Sequence, residues 1–471
     1  MLLKTKGYID GKWVAGRRTF PVFNPFDGKQ IAKVADLGRQ EAKKAVEAAH
    51  RAFPLWSAML ASERAKKLIQ LADLIEKNAE ELSHLLTLEQ GKPLTESKDE
   101  VLLAVHSLKW LAEEGRRIHG YTHCDPDGTR SGLSIRQPMG VVAAITPWNF
   151  PFYVPVKTLA ALAAGCTLVL KPAEDTPLSS LALAALAHEA GLPPGVLNII
   201  TCKNPKEVGE VLSTHPLVKK IAFTGSTEVG KLLLKAGAAT VKKATMELGG
   251  NCPLIIFDDA DLDQAIEGAF SLKFLNAGQC CNGLNRFLVH ASIYDAFIKK
   301  CIQKAKKLTC GSGLKQVDLG PLINTAAKEK VDQLIKDAIR KGAEIILHST
   351  QKGLLCSPII LKHASPKMRI WREEIFGPVI ALYRFKTEKE AIEKANDTRY
   401  GLAAYFYTEN QKRAMRVAKA LQAGTVGVNT TNVYTITLPF GGWKESGIGR
   451  EGGIIESLND YCELKAISFG H

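Results

Sequence analysis

Two adjacent cysteines, Cys280 and Cys281, follow a Gly-Gln pair at the end of a largely apolar run over residues 266–275. A thiolate can add to a carbonyl carbon and form a thioester, so a cysteine is a natural nucleophile for acyl chemistry. A thiol that a tight turn delivers from a buried element can be desolvated and oriented. Most cysteines are inert, but this segment has the pattern expected of a reactive one.

Three further segments carry polar groups that could serve the same chemistry: Thr-Pro-Trp-Asn-Phe-Pro at 146–151, Met-Glu-Leu-Gly-Gly at 246–250, and Glu-Glu-Ile-Phe-Gly-Pro at 373–378. With the cysteine segment, they resemble the NAD(P)-dependent aldehyde dehydrogenase superfamily over essentially the whole chain. The segments at 247–251, 258–263, 395–398 and 401–407 look most like its succinate-semialdehyde dehydrogenase subgroup.

The resemblance implies three catalytic residues. Cys281 matches the nucleophile, which makes Cys280 its neighbour. Asn149 matches the side chain that, with the backbone amide of Cys281, donates to the oxyanion of the adduct. Glu247 matches the general base that activates water to hydrolyse the thioester, which favours a free acid over transfer to coenzyme A. Without the resemblance, Asn149 could be a turn residue and Glu247 a surface glutamate.

A phosphate site is expected where Gly225, Ser226 and Gly230 close a strand and open a helix. Glycine lets the backbone approach a phosphate, and a helix N-terminus favours an anion. The spacing differs from the usual dinucleotide fingerprint and alone is typical of an ordinary strand–helix turn. The resemblance implies that Ser226 contacts the pyrophosphate and that Trp148 packs near the cofactor.

Two carboxylates complete the predicted cofactor site. By resemblance, Lys171 and Glu174 reach the hydroxyls of the adenosine ribose, and Glu374 and Phe376 hold the nicotinamide ribose. A carboxylate accepts hydrogen bonds from hydroxyls but repels a 2′-phosphate. Glu174 therefore favours NAD, with NADP as the alternative.

The predicted substrate pocket departs from that subgroup, which usually has an arginine where this chain has Leu275 and a serine where it has Tyr434. A further expected arginine is represented only by Lys157, which could replace it or be the family's ordinary lysine. An aromatic tunnel is the other interpretation, unless some of its rings are plain core, and it would consist of Phe152, Tyr153, Tyr434 and Phe440. One version of the function therefore takes a carboxylate-bearing semialdehyde, and the other takes a neutral aliphatic or aromatic aldehyde.

Composition excludes several other classes. The chain has 471 residues and a net charge of +14, but it lacks an arginine-rich tail or an aromatic-basic RNA motif. A basic solvated surface is therefore expected rather than nucleic-acid binding. Ten cysteines are too sparse for a disulfide scaffold, so reduced thiols in the cytoplasm are predicted. No signal peptide, membrane span or metal site is indicated.

Short apolar runs, such as 141–145, alternate with alanine-rich helical segments, such as 178–190, which is typical of an α/β fold with doubly wound parallel sheets. The run at 424–428 is expected to be a buried strand. We predict a dinucleotide-binding domain over 1–118 and 137–248 and a catalytic domain over 249–441. The resemblance adds a small β oligomerisation arm at 119–136 and 454–471, which in the family builds a homodimer or homotetramer. A non-catalytic structural relative on the same scaffold is the competing class, and the joint presence of Cys281, Glu247 and Asn149 argues against it.

Overall fold

The computed structural model describes residues 2–348, 352–453 and 456–470. Its helices are α1 Arg39–Ala58, α2 Ala61–Lys77, α3 Ala79–Gln90, α4 Leu94–Glu114, α5 Tyr153–Lys157, α6 Ala160–Ala163, α7 Leu178–Glu189, α8 Pro205–Thr214, α9 Thr227–Gly237, α10 Leu262–Phe274, α11 Tyr294–Ala305, α12 Thr325–Arg340, α13 Arg369–Arg372, α14 Glu388–Asn396, α15 Gln411–Ala420 and α16 Glu456–Asn459. Short 3₁₀ turns cover Ala238–Thr240 and Leu275–Gly278.

The strands are β1 Gly7–Ile9, β2 Lys12–Val14, β3 Arg18–Phe23, β4 Gln30–Asp36, β5 Tyr121–Cys124, β6 Arg130–Pro138, β7 Val141–Ile145, β8 Thr167–Lys171, β9 Leu197–Ile199, β10 Val218–Thr224, β11 Lys243–Glu247, β12 Cys252–Ile256, β13 Leu284–His290, β14 Glu344–Leu347, β15 Ile359–Lys362, β16 Val379–Phe385, β17 Tyr400–Gly401, β18 Ala403–Tyr407, β19 Thr425–Val428, β20 Pro439–Phe440, β21 Trp443–Lys444, β22 Gly447–Ile448, β23 Glu451–Gly452 and β24 Cys462–Gly470.

The first sheet has the order β2-β1-β9-β8-β7-β10-β11-β22, and its strands β9, β8, β7, β10 and β11 are parallel. Alternate side chains of β7 enter different cores. Val142 and Ala144 pack with α2, α3, α4 and α7, whereas Val141 and Ala143 pack with α1, α8 and α9. Because successive strand residues point to opposite faces, helices cover both faces of the sheet, as a doubly wound sheet requires.

The second sheet has the order β14-β15-β16-β13-β12-β18-β19 and is parallel except for β14. Its strands share one core with α10, α11, α12, α14 and α15. These two sheets confirm the predicted α/β class. The strand expected to be buried at 424–428 exists as β19, but it lies at the sheet edge, and Gly427 is its one fully buried residue. The prediction of a buried strand there was wrong, because an edge strand has a neighbour on one side only.

The chain then returns to the first sheet. Strand β22 pairs antiparallel with β11, with Glu247 opposite Gly447 and Met246 opposite Ile448. This crossing places residues 447–448 beside the end of β11, although the predicted domain boundaries left residues 442–453 unassigned.

A separate three-stranded sheet has the order β24-β6-β5. Its pairing runs from Cys462 opposite Pro138 to Gly470 opposite Arg130, so β6 extends two residues beyond the predicted arm. Leu464 and Phe469 are exposed on it. Residues 454, 455 and 471 of the predicted arm lie outside the described residues. Within the described ranges, no helix combines the length and the apolar character that a membrane crossing needs.

Candidate active site

A cavity of about 610 Å³ lies where loops after β7, β10 and β11 meet loops of the second sheet. It brings together most of the residues that the sequence singled out. Its lining includes Trp148, Asn149, Tyr153, Lys157, Gly225, Ser226, Glu247, Leu275, Cys281, Glu374, Phe376, Tyr434 and Phe440. Lys171, Glu174, Gly230 and Phe152 are not among its lining residues.

A strained loop delivers Cys281 to this cavity. After α10 ends at Phe274, Asn276, Ala277 and Gly278 have φ values of 50°, 54° and 78°. Left-handed backbone is unfavourable for alanine, so neighbouring contacts must hold it. The consequence is a sharp reversal that turns the chain from a buried helix to the cavity, as the Gly-Gln-Cys segment predicted.

The surroundings of the Cys281 thiol favour its protonated form. Its interaction with the Cys280 thiol and its burial raise the pKa of Cys281 well above the usual range, and the Lys157 ammonium opposes them. The Cys280 thiol donates to Oδ1 of Asn282 at 2.8 Å. A base must therefore remove the Cys281 proton before the sulfur can attack.

Glu247 ends β11, and its side chain is buried. Among the described residues, neither of its carboxylate oxygens has a hydrogen-bond partner. Burial and the nearby Glu451 carboxylate raise the pKa of Glu247 well above its usual range, while Lys157 opposes them. A carboxylate whose pKa is raised is a stronger base than an ordinary one, which suits it to accept a proton during a reaction.

Lys157 forms an ion pair with Glu451, and both side chains are largely buried. Burial alone would lower the pKa of Lys157, but the carboxylates of Glu451 and Glu247 raise it. The ammonium is therefore engaged by the protein's own carboxylates. Sequence reasoning missed Glu451, and its only signal was a lone acid in the segment Gly-Arg-Glu-Gly-Gly.

Asn149 lies against the loop that carries Cys281. Its side-chain Nδ2 donates to the main-chain oxygen of Gln279 at 3.1 Å, and its own main-chain oxygen accepts from Nδ2 of Asn276 at 2.9 Å. The amide is thus fixed to the loop that carries Cys281.

The part of the cavity near Tyr153 is lined by aromatic and aliphatic side chains. The rings of Tyr153 and Tyr434 meet edge-on at 5.5 Å, their hydroxyls are hydrogen-bonded, and Tyr434 also contacts Phe440 at 5.3 Å. Leu275 lines the same space.

Phe152 does not belong to this set. It is buried in the core of the first sheet, and its backbone N–H donates to Glu100 at 2.9 Å. The ring of Phe152 packs in the core, and the next residue, Tyr153, lines the cavity. The expectation that Phe152 lines a tunnel was therefore wrong.

The N-terminus of α9 faces the cavity. Ser226 caps it by accepting from the backbone N–H of Val229 at 3.3 Å, and Gly225 precedes it. Gly230 lies one turn further and has a packing role, because an added Cβ would lie 2.5 Å from Cδ2 of Leu248. Unpaired N–H groups at a helix N-terminus are suited to binding phosphate.

Glu374 and two rings form the wall near this helix. Trp148 and Phe376 meet edge-on at 5.5 Å. Oε1 of Glu374 accepts from the backbone N–H of Gly250 at 2.9 Å, and burial raises the pKa of Glu374 to about 7. Lys330, which the sequence did not single out, lines the cavity and acts electrostatically on Glu374.

Lys171 and Glu174 lie apart from the main cavity. They form an ion pair of 3.1 Å at the end of β8, and Glu174 lines a second cavity of about 200 Å³. Strand β8 is two strands from β10 in the sheet, which corresponds to roughly 10 Å. A ligand that contacts both Ser226 and Glu174 must therefore be an extended molecule.

Comparisons with known proteins find relatives that match essentially the whole chain. The chain is 46% identical to 3-sulfolactaldehyde dehydrogenase of Pseudomonas putida, with 100% of this chain and 98% of the relative covered. It is 45% identical to succinate-semialdehyde dehydrogenase [NADP(+)] of Escherichia coli (strain K12), over 100% and 98%. The structure of betaine aldehyde dehydrogenase from Staphylococcus aureus in complex with NAD+ matches with a TM-score of 0.96 and 37% identity, over 99% of this chain and 95% of that one. The model of the aldehyde dehydrogenase family matches residues 13–467, and the chain therefore belongs to that family.

Proposed function

We propose that this protein oxidises an aldehyde to a carboxylic acid with NAD(P) as the hydride acceptor. The observation that carries the proposal is one cavity lined by Cys281, Asn149 and Glu247, with the capped N-terminus of α9 at its other end. Family membership supports the same reaction.

The residues fit a nicotinamide dinucleotide. The open N–H groups of α9 and the backbone at Gly225 suit its pyrophosphate, and the Glu374 carboxylate suits ribose hydroxyls. The Lys171–Glu174 pair lies far enough away to meet the adenosine end of an extended ligand. When bound, the nicotinamide takes up the hydride that leaves the substrate carbon.

The chain's own residues perform the remaining steps. Glu247 takes the proton of Cys281, and the sulfur attacks the aldehyde carbon to form a thiohemiacetal. The side-chain amide of Asn149 and the backbone N–H of Cys281 donate to its oxyanion. Once hydride has left, the carbon is a thioester. Glu247 first releases to solvent the proton that it took from Cys281. It then deprotonates a water that attacks this thioester; the acid leaves, and the cysteine sulfur regains a proton from Glu247 as the thiol.

We infer that the preferred substrate is a neutral aldehyde. Two relatives are named for aldehydes that carry an acidic group, which favours the alternative. In this cavity, however, the described lining residues include no arginine, Lys157 is paired with Glu451, and Lys330 acts on Glu374 at the cofactor end. A carboxylate there would lack the paired cation that its burial requires.

We further propose NAD over NADP, because the Glu174 carboxylate would accept hydrogen bonds from the hydroxyls of the adenosine ribose and would repel a 2′-phosphate. The Escherichia coli relative is named for NADP(+), so the Lys171–Glu174 pair is the point at which the preference must be tested.

The unit around the first sheet is proposed to bind the dinucleotide, and the unit around the second to carry the nucleophile.

The exposed apolar side chains of the β24-β6-β5 arm support a homodimer or homotetramer, which light scattering on a sizing column will determine. A reducing compartment such as the cytoplasm is proposed, because ten cysteines in 471 residues are too sparse for a disulfide scaffold.

A panel of neutral and carboxylate-bearing aldehydes with each cofactor tests the proposal. We expect reduction of NAD by at least one aldehyde and none by the Cys281→Ala variant. If no aldehyde in the panel supports reduction of either cofactor, the non-catalytic alternative becomes the better account.

A further inference from the structure

Lys92 is a buried cation outside the residues that line the cavity. Its side chain is 1% exposed. Its ammonium donates to Oε2 of Glu100 at 2.6 Å and to the main-chain oxygen of Asn149 at 2.8 Å, and it lies 4.0 Å from the ring centroid of Phe150. Burying a charge is unfavourable unless its partners are closely placed, so this arrangement demands an explanation.

Glu100, the partner of Lys92, also binds the backbone that follows Asn149. Its Oε1 accepts from the backbone N–H groups of Phe152 at 2.9 Å and Tyr153 at 3.0 Å. Lys92 and Glu100 therefore hold the segment from Asn149 to Tyr153 at both ends.

The residues around Lys92 also reach the nucleophile loop. Oε1 of Gln90 accepts from the backbone N–H of Lys92 at 3.0 Å, and Nε2 of Gln90 donates to Oδ1 of Asn276 at 2.8 Å. Asn276 in turn donates to the same main-chain oxygen of Asn149 that accepts from Lys92. That oxygen is thus the point at which the lysine and the loop of Cys281 meet.

We propose that Lys92 is a positioning residue for Asn149. By fixing the main-chain oxygen of Asn149, the ammonium sets the direction of the Asn149 side-chain amide toward the aldehyde oxygen at Cys281. Glu100 holds the ammonium in place. The inference rests on the proposed role of Asn149 as the oxyanion donor.

Loss of this contact should slow the chemistry and leave cofactor binding intact. A misplacement of about 1 Å lowers the rate roughly 10²-fold, and loss of an oxyanion donor lowers it roughly 10²- to 10³-fold. We therefore expect Lys92→Met to lower kcat about 100-fold without a change in KM for NAD, since Lys92 contacts neither Ser226 nor Glu374. Lys92→Arg, which can still donate to both partners, should recover most of that loss.

A matched control is Lys220→Met. Lys220 is also fully buried in an ion pair, with Asp460 at 2.8 Å, but it contacts neither Asn149 nor the cavity. Both lysine variants should unfold at a lower temperature than the parent protein. Only Lys92→Met should have a lower kcat when the rate is expressed per folded molecule.

The deciding experiment is a double-mutant cycle on kcat for an aldehyde substrate, with Asn149→Ala, Lys92→Met and the double variant. If Lys92 acts through Asn149, adding Lys92→Met to Asn149→Ala causes little further loss. Fully additive losses, about 100-fold again, would overturn the proposal. If Lys92→Met does not fold, Lys92→Met with Glu100→Gln, which leaves neither charge unpaired, replaces it in the same cycle.

The two hypotheses fail differently. Full activity in Asn149→Ala would refute the proposed role of Asn149 itself. A large loss in Asn149→Ala together with additive behaviour would refute only the role of Lys92.

Discussion

The most informative prediction concerns Leu275, whose side chain lines the cavity beside Cys281 at the point where α10 ends. We expect the parent enzyme to prefer butanal to succinic semialdehyde, and Leu275→Arg to improve the semialdehyde selectively. The reason is that Lys157, which also lines the cavity, is already paired with Glu451.

The magnitude follows from the contact that an arginine would add. A hydrogen bond to a charged partner contributes about 1.5–3 kcal/mol. At roughly 1.4 kcal/mol for each tenfold change, kcat/KM for succinic semialdehyde should rise roughly 10- to 150-fold. Butanal has no carboxylate, so its kcat/KM should gain nothing from the arginine.

The assay is initial-rate kinetics for both aldehydes at saturating NAD. Leu275→Met is the matched control, since it fills the space without charge and should leave the ratio of the two specificity constants unchanged. Lys157→Met leaves Glu451 and Glu247 without their cation, so it should slow both substrates alike.

Two results would refute this reasoning. One is that the parent enzyme prefers succinic semialdehyde to butanal about tenfold and that Lys157→Met removes only this preference. In that case Lys157 anchors the carboxylate despite its pairing. The other is a Leu275→Arg variant that is folded and binds NAD but shows no selective gain.

Four other predictions address the catalytic and cofactor residues. Cys281→Ala should abolish aldehyde oxidation, whereas Cys280→Ala should keep most of it; steady-state assays decide this, and a dead but folded Cys280 variant would reverse the assignment. Glu247→Gln should produce one burst of NADH and then turn over slowly, because the thioester is hydrolysed slowly without the base. Rapid-quench kinetics with an unchanged steady-state rate would contradict this. The pKa of Glu247 is raised above its ordinary value of 4.5, so the carboxylate becomes protonated as the pH falls through that raised pKa. As the pH is lowered, kcat of the parent enzyme should therefore begin to fall while the pH is still above 4.5. Finally, the parent enzyme should prefer NAD and Glu174→Ser should relax that preference; equal specificity constants for NAD and NADP in the parent would count against the role of Glu174.

Much of the fold could be predicted because its signals are local. The apolar run at 141–145 became β7 with the same bounds, and the alanine-rich run at 178–190 became α7 with an end one residue earlier. The edge position of β19 could not be predicted, since a strand's place in a sheet depends on partners that are distant in sequence.

Site residues could be predicted where they belong to a recognisable sequence motif. They could not be predicted where they depend on contacts between residues that are distant in the sequence. Cys281, Asn149 and Glu247 each lie in a recognisable segment, and one cavity contains all three. The Lys157–Glu451 pair joins residues nearly three hundred positions apart, and a buried lysine such as Lys92 has no local signal. The burial of Phe152 was missed because two adjacent aromatic residues look equally suitable in the sequence.

The return of β22 to the first sheet has a consequence for how the enzyme is made. Glu247 pairs with Gly447 across 200 positions, and Lys157 pairs with Glu451 across a still longer span. Contacts between such distant residues form late, because long loops must close before they contribute. During synthesis, both sheets can therefore collapse while the surroundings of Glu247 are still missing. If Glu247 is the general base, we expect a nascent or truncated protein without these last strands to be largely folded and still inactive.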